Sequence, residues 1–180
     1  MANIFKKDAS INEFTWESLG DIKAGREDLG EEVPVLVYRL MQFTLLDILT
    51  QDFGSDKAND FFRRAGYLAG SEFAKNVLDL SLDFSGFLAA LTQALSDNKI
   101  GILRMEAIDP DSGNLVLTVG QDLDCSGLPI INETVCNYDE GFISGILNTY
   151  TGLDYDVHEI DCWANGDRVC RFTANVEQEA

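Results

Sequence analysis

The sequence predicts an α+β domain: N-terminal helices packed on an antiparallel sheet, in the order ααα-ββ-α-ββ. Three observations carry that prediction. Apolar residues recur at three- to four-residue spacing through the first half of the chain, then switch to alternation near residue 100. Two pairs of alternating segments are each joined by a short Gly-containing turn, "PDSG" and "ANG". One further helical pattern separates those pairs, and helices in a run followed by strands indicate an α+β rather than a parallel sheet architecture.

Residues 1–30 read as a polar, Gly-punctuated lead-in carrying at most a short strand. The first long helix follows, with Val33, Leu36, Val37, Leu40, Met41, Thr44, Leu45, Ile48 and Leu49 on one stripe. Pro34 suits its first turn and Gly54 its end. Phe43 and Leu46 widen the apolar face, so burial on more than one side, with dimerisation through the first two helices, is expected. Ser55 caps a second helix bearing Ala58, Phe61, Phe62, Ala65, Leu68, Ala69, Phe73 and Val77. Gly66 and Gly70 lie within it, each costing about 1 kcal/mol relative to Ala, so a close approach by another backbone or a ligand is expected to compensate. A third helix spans about 86–97 after "SLDFS". "IGILRMEAID" and "NLVLTVGQDL" form the first hairpin. "NYDEGFISGILNTYTG" is the fourth helix, with Asn137 as N-cap, Asp139 and Glu140 in the first turn, and Gly152 at the end. "YDVHEIDCWA" and "RVCRFTANV" form the last hairpin, leaving one domain over 31–174 and a tail at 175–180.

Composition limits the function classes. A chain of 180 residues buries roughly 70% of its unfolded surface and needs no staple to fold. No apolar run reaches the ~18 residues of a membrane span, and no apolar stretch follows the two N-terminal lysines as in a secretory signal, so a cytoplasmic protein is expected. Thirteen basic against 31 acidic residues give a net charge of -18, a poor surface for nucleic acid, whose binding depends on a basic patch.

Four cysteines, Cys125, Cys136, Cys162 and Cys170, fall in the second half. In a reducing compartment, clustered cysteine is more often metal-binding or redox-active than disulfide-bonded. Cys136 precedes a helix start, where helix dipole and free N–H groups favour a thiolate. Cys162 and Cys170 occupy the two arms of the last hairpin. A two-residue Asn165-Gly166 turn sends them to opposite faces, whereas a three-residue Ala164-Asn165-Gly166 loop brings them to one face. On a regular strand His158, not Glu159, shares the face of Cys162; a bulge between 159 and 162 reverses that. Cys125 is a further candidate that would make a four-Cys site, although its segment gives it no direction. Buried cysteines also pack as small hydrophobes. The convergence of three on one hairpin and one helix start favours metal, with zinc the usual occupant of sulfur-rich closed sites.

"VCNYDEGFISGIL…VHEIDCWANGDRVCRF" resembles the signature of the 4-vinyl reductase domain family, over residues 135 to 172. "GREDLGEEVPVLVYRL" and "AGYLAGSEFA" look like the family's first two helices. The family includes bacteriochlorophyll 4-vinyl reductase-like proteins, the sensory domains of phenol-responsive activators and archaeal hydrocarbon-binding proteins, and is similar in fold to acyl-binding vesicle-tethering subunits. The resemblance implies structural zinc on Cys136, Glu159, Cys162 and Cys170, as three Cys and a Glu hold it in the phenol sensors, and with it the bulge. Phenol itself is not implied, because those sensors use a histidine in the helical half and the single histidine here is His158.

The resemblance further implies an apolar cavity between helices and sheet. Gly66 and Gly70 would let a hydrophobic or aromatic small molecule approach, and Tyr67 and Phe142 would line it; plain core packing is the alternative for each. The expected role is a zinc-stabilised binding module acting as sensor or carrier. A tetrapyrrole vinyl reductase, or an accessory to one, is the enzyme alternative, but no G-x-G-x-x-G follows a strand and no flavin signature occurs. A dimeric scaffold is the third reading.

Overall fold

Residues 14–177 are described by the computed structural model, and the chain divides into two compact units between Glu32 and Val33. In the first unit, Trp16–Leu19 forms a 3₁₀ turn and α1 (Ile22–Gly25) a single helical turn. Asp21 opens α1, its carboxylate accepting the Ala24 N–H at 2.9 Å. The short strand expected of the lead-in does not occur over 14–32, because Asp21 offers the backbone a local helical cap instead. Residues 1–13 of the lead-in and 178–180 of the tail lie outside the described residues.

The second unit runs α2 (Val35–Phe53), α3 (Ser55–Val77), α4 (Phe84–Asp97), β1 (Ile102–Ile108), β2 (Leu115–Gly120), α5 (Asn137–Thr151), β3 (Tyr155–Asp161) and β4 (Cys170–Val176). Its long elements keep the predicted order; the chain differs in detail through α1 and two 3₁₀ turns. Asp83 caps α4 by accepting the Gly86 N–H, and Gly152 ends α5 in the left-handed conformation. The four strands form one antiparallel sheet in the order β1-β2-β4-β3, so the two hairpins join through their inner strands. That pairing sets Leu117 opposite Phe172 and Val119 opposite Cys170, all buried.

The close approach predicted at Gly66 and Gly70 is made by a second helix. A Cβ on Gly66 would strike the carbonyl of Tyr138, and one on Gly70 that of Phe142; in return, Gly141 and Gly145 of α5 face the carbonyls of Arg63 and Tyr67. Four glycines thus interlock, and the α3 and α5 backbones touch where side chains ordinarily intervene.

Helix α2 departs from expectation. Leu36, Leu40, Met41, Leu45 and Ile48 are all more than half exposed, and its buried residue is the polar Gln42. Periodicity identifies an apolar face but not what covers it. The closing loop also differs from both predicted turns. Asp161 pairs with Arg171, so the connection is longer than three residues and contains a 3₁₀ turn at Trp163–Asn165. The Cys162 carbonyl accepts the N–H groups of Asn165 and Asp167, both at 3.0 Å, which winds the chain back before β4. Among the described residues, no helix is long and apolar enough to cross a membrane.

Candidate metal centre and adjoining cavity

Four chain segments converge beyond the end of the sheet. Cys136 is the N-cap of α5, one residue earlier than the Asn137 cap expected. Cys170 opens β4. Cys162 follows β3, whose register shifts between Glu159 and Asp161. That irregularity turns both Glu159 and Cys162 inward, while His158 stays exposed and sits 3.1 Å from Asp156. Cys125 comes from the loop after β2. Asp122 aims it, its Oδ1 accepting the N–H groups of Asp124 at 2.8 Å and Cys125 at 3.1 Å. Such Asx turns are legible in a D-x-D-C sequence, and this one supplies the direction that spacing alone does not give.

The four cysteines are buried and free, with their sulfurs all within 4.8 Å of one another. Cys136 Sγ lies 3.8 Å from Cys162 Sγ and 3.7 Å from Cys170 Sγ, while Cys125 and Cys170 approach to 3.0 Å. Tetrahedral coordination with bonds of about 2.3 Å separates sulfurs by about 3.8 Å, so the set is compatible with zinc.

Glu159, the fourth ligand implied by the resemblance, stands outside this sulfur cluster. Its Oε2 accepts the N–H groups of Val135 at 3.1 Å and Cys136 at 2.9 Å, and its Oε1 is buried without a hydrogen-bond partner. Burial pushes its carboxyl up to about 8. Glu140 ties the same corner together: its Oε1 accepts the Glu159 N–H at 2.9 Å and its Oε2 pairs with Arg63.

Beside this lobe, α4, α5 and the β1–β2 hairpin enclose a cavity of about 40 Å³, walled chiefly by Phe87, Leu91, Leu117, Phe142 and Ile146. Phe142 is therefore where the expected ligand site needs it. Gly66, Tyr67 and Gly70 do not line the cavity: the glycines face α5, and the Tyr67 hydroxyl donates to Asn148 at 2.9 Å. At one end of the cavity stand two carboxyls that sequence reasoning does not single out as site residues, Asp122 and Asp139. Burial raises both above the ordinary carboxylate range. Next to them Asp124, pushed up to about 6 by burial, accepts from the Tyr38 hydroxyl and the Gln42 amide, both at 2.7 Å. Asp139, expected only as a first-turn acid, takes its second role from the sheet that lies beneath α5.

Residues 115–176 match the 4-vinyl reductase (V-4-R) domain. The matched segment contains β2, α5, β3, β4 and all four cysteines, and it overlaps the stretch that carries the sequence resemblance to the same family. A protein of Methanocaldococcus jannaschii is 27% identical over 146 residues, covering 81% of this chain and 80% of its own length. Two solved structures share the fold. The phenol-responsive sensory domain of the transcription activator PoxR, with phenol, has a TM-score of 0.63 at 14% identity, over 82% of this chain and 76% of that one. A vinyl-4-reductase family protein from Methanocaldococcus jannaschii has a TM-score of 0.61 at 13% identity, over 94% and 99%.

Proposed function

We propose that this chain is a cytoplasmic binding module for a hydrophobic or aromatic small molecule, built on a zinc-stabilised lobe and acting as a sensor or carrier. The observation that carries this reading is the apolar cavity with a polar end, set against a segment of the 4-vinyl reductase type. The PoxR domain, similar in fold, was solved with phenol, which supports small-molecule binding as the role of such a cavity. Free buried thiols suit a reducing compartment.

Zinc in this reading is held by Cys125, Cys136, Cys162 and Cys170. This replaces the Glu159 of the family pattern with Cys125, since Glu159 Oε2 is occupied by two backbone N–H groups. When bound, the ion supplies a structural tie and leaves no open coordination position. Helix α5 links the two regions, starting at Cys136 and presenting Phe142 and Ile146 to the cavity, so a ligand pressing on α5 is felt at the lobe. Gly66, Gly70 and Tyr67 act on the pocket indirectly, by holding α5 close to α3. Calorimetric titration of the zinc-loaded protein with small apolar and aromatic compounds tests the reading. Saturable binding that Phe142→Ala weakens is expected, and a panel without a single binder sinks it.

The exposed apolar face of α2 favours a homodimer in addition. Sedimentation of wild type against Leu40→Glu checks this: a dimer that the substitution splits is expected, and a wild-type monomer refutes it.

A further inference from the structure

Of the two carboxyls at the closed end of the cavity, one is anchored and the other is not. Asp122 Oδ1 is held by the N–H groups of Asp124 and Cys125. Asp139 Oδ2 is buried and has no hydrogen-bond partner. The carboxylates of Asp122 and Asp139 have oxygens within 4.8 Å of each other and of the Cys136 sulfur, and the rest of the lining is hydrocarbon and aromatic. A buried acceptor without a donor is a standing cost, and the large majority of buried polar atoms avoid it. Asp139 occupies the first turn of α5, whose position the four interlocked glycines set, so it cannot turn out to solvent without moving the helix.

We propose that Asp139 selects the ligand, and that the cavity takes a small apolar molecule carrying one hydrogen-bond donor, a hydroxyl or an amine, which donates to Asp139 Oδ2. The assignment rests on the small-molecule reading above and adds the ligand's polar group to it. The same two carboxyls reject an anion, because a carboxylate at this end meets only acceptors. Size limits the apolar body. A cavity of about 150 Å³ holds benzene, so at about 40 Å³ even one ring must displace a wall. Helix α4 is that wall. Its approach is held by the Tyr150 hydroxyl donating to the Leu82 carbonyl at 3.0 Å and by Tyr150 stacked on Phe87 at 3.7 Å.

Four probes of matched shape test the idea by calorimetric titration of the zinc-loaded protein: benzyl alcohol, benzylamine, toluene and benzoate. Benzyl alcohol or benzylamine is expected to bind at least about tenfold tighter than toluene, with benzoate the weakest. Whichever of the two leads identifies the donor as hydroxyl or amine. Asp139→Leu should erase the advantage of the donor while leaving toluene as tight or tighter. Asp139→Asn, which keeps an acceptor oxygen at nearly the same shape, should retain part of it and guards against a folding defect in the leucine variant. Equal binding of toluene and the donor compounds to wild type, as when an internal water alone serves Asp139, overturns the assignment and leaves the small-molecule reading standing. Absence of binding by all four overturns the assignment through the failure of that reading itself.

Discussion

The α3–α5 seam and the cysteine lobe meet at Cys136–Tyr138, yet different physics holds each together. The seam is a steric lock. Gly66, Gly70, Gly141 and Gly145 leave no room for a Cβ, so its fit depends on shape and does not change with pH, redox state or metal supply. The lobe is a polar assembly in which four buried thiols and Glu159 crowd together, with the Glu159 Oε1 unpartnered. Crowded ionisable groups are costly unless paired or metal-bound. One helix therefore enters a part of the molecule that chemistry can loosen and leaves through a part that it cannot.

The largest effect expected is metal removal. A strong chelator applied to the reduced protein should strip about one zinc per chain and take with it most of the lobe's stability, since structural zinc contributes on the order of 10 kcal/mol or more. Hydrogen exchange should then show Cys162 to Cys170 opening while α3 stays protected; uniform opening of both regions would erase the contrast. X-ray absorption sharpens the same point. Four sulfurs at about 2.3 Å support Cys125 as ligand, while three sulfurs and an oxygen near about 2.0 Å would restore Glu159.

The seam comes next. In an ordinary exposed helix Gly→Ala stabilises by about 1 kcal/mol, but Gly66→Ala should destabilise by about 3 kcal/mol or more, because the methyl meets the Tyr138 carbonyl. A denaturant midpoint equal to or above that of wild type would remove the steric lock.

A smaller, pH-dependent effect belongs to Asp124, between the two regions. Burial lifts its carboxyl from 3.8 to about 6 in the folded state. A raised pKa means that folding favours the protonated form, so its contribution is fully present below about pH 4 and is lost as pH rises through about 6. Wild type should therefore lose stability relative to Asp124→Asn across that window, by on the order of 2 kcal/mol. A constant difference between the two proteins from about pH 4 to about pH 7 would contradict the burial effect. The smallest effect is at the surface: Glu106→Ala removes one partner of Arg171 on the sheet, which still has Asp161, and should leave the melting temperature essentially unmoved.

Much of the fold is legible in the sequence because periodicity reports which face of each element is apolar. The change from helical to alternating period locates three long helices, two hairpins and α5 nearly to the residue, and Gly54, Asp83 and Gly152 mark ends through local backbone chemistry. The legible part of the site is the three cysteines at positions 136, 162 and 170, together with the register shift near Glu159. Less legible are Cys125 and the carboxyls at positions 122 and 139, because each takes its role from a partner distant in sequence. Helix α2 differs for a related reason: its stripe predicts burial, and the fold leaves most of it open.

By itself the sequence determined the order of elements, the two hairpins, the glycine pairs that demand a close neighbour and the cysteines that invite a metal, since all of these are written in local spacing. Tertiary structure alone decided that the neighbour of Gly66 and Gly70 is α5, that Cys125 joins the thiols while Glu159 holds the backbone, and that Asp139 faces an apolar cavity. Those outcomes depend on which surfaces pack together when β2 pairs with β4, and that pairing joins strands far apart in the chain, Leu115 against Ala174 and Val119 against Cys170.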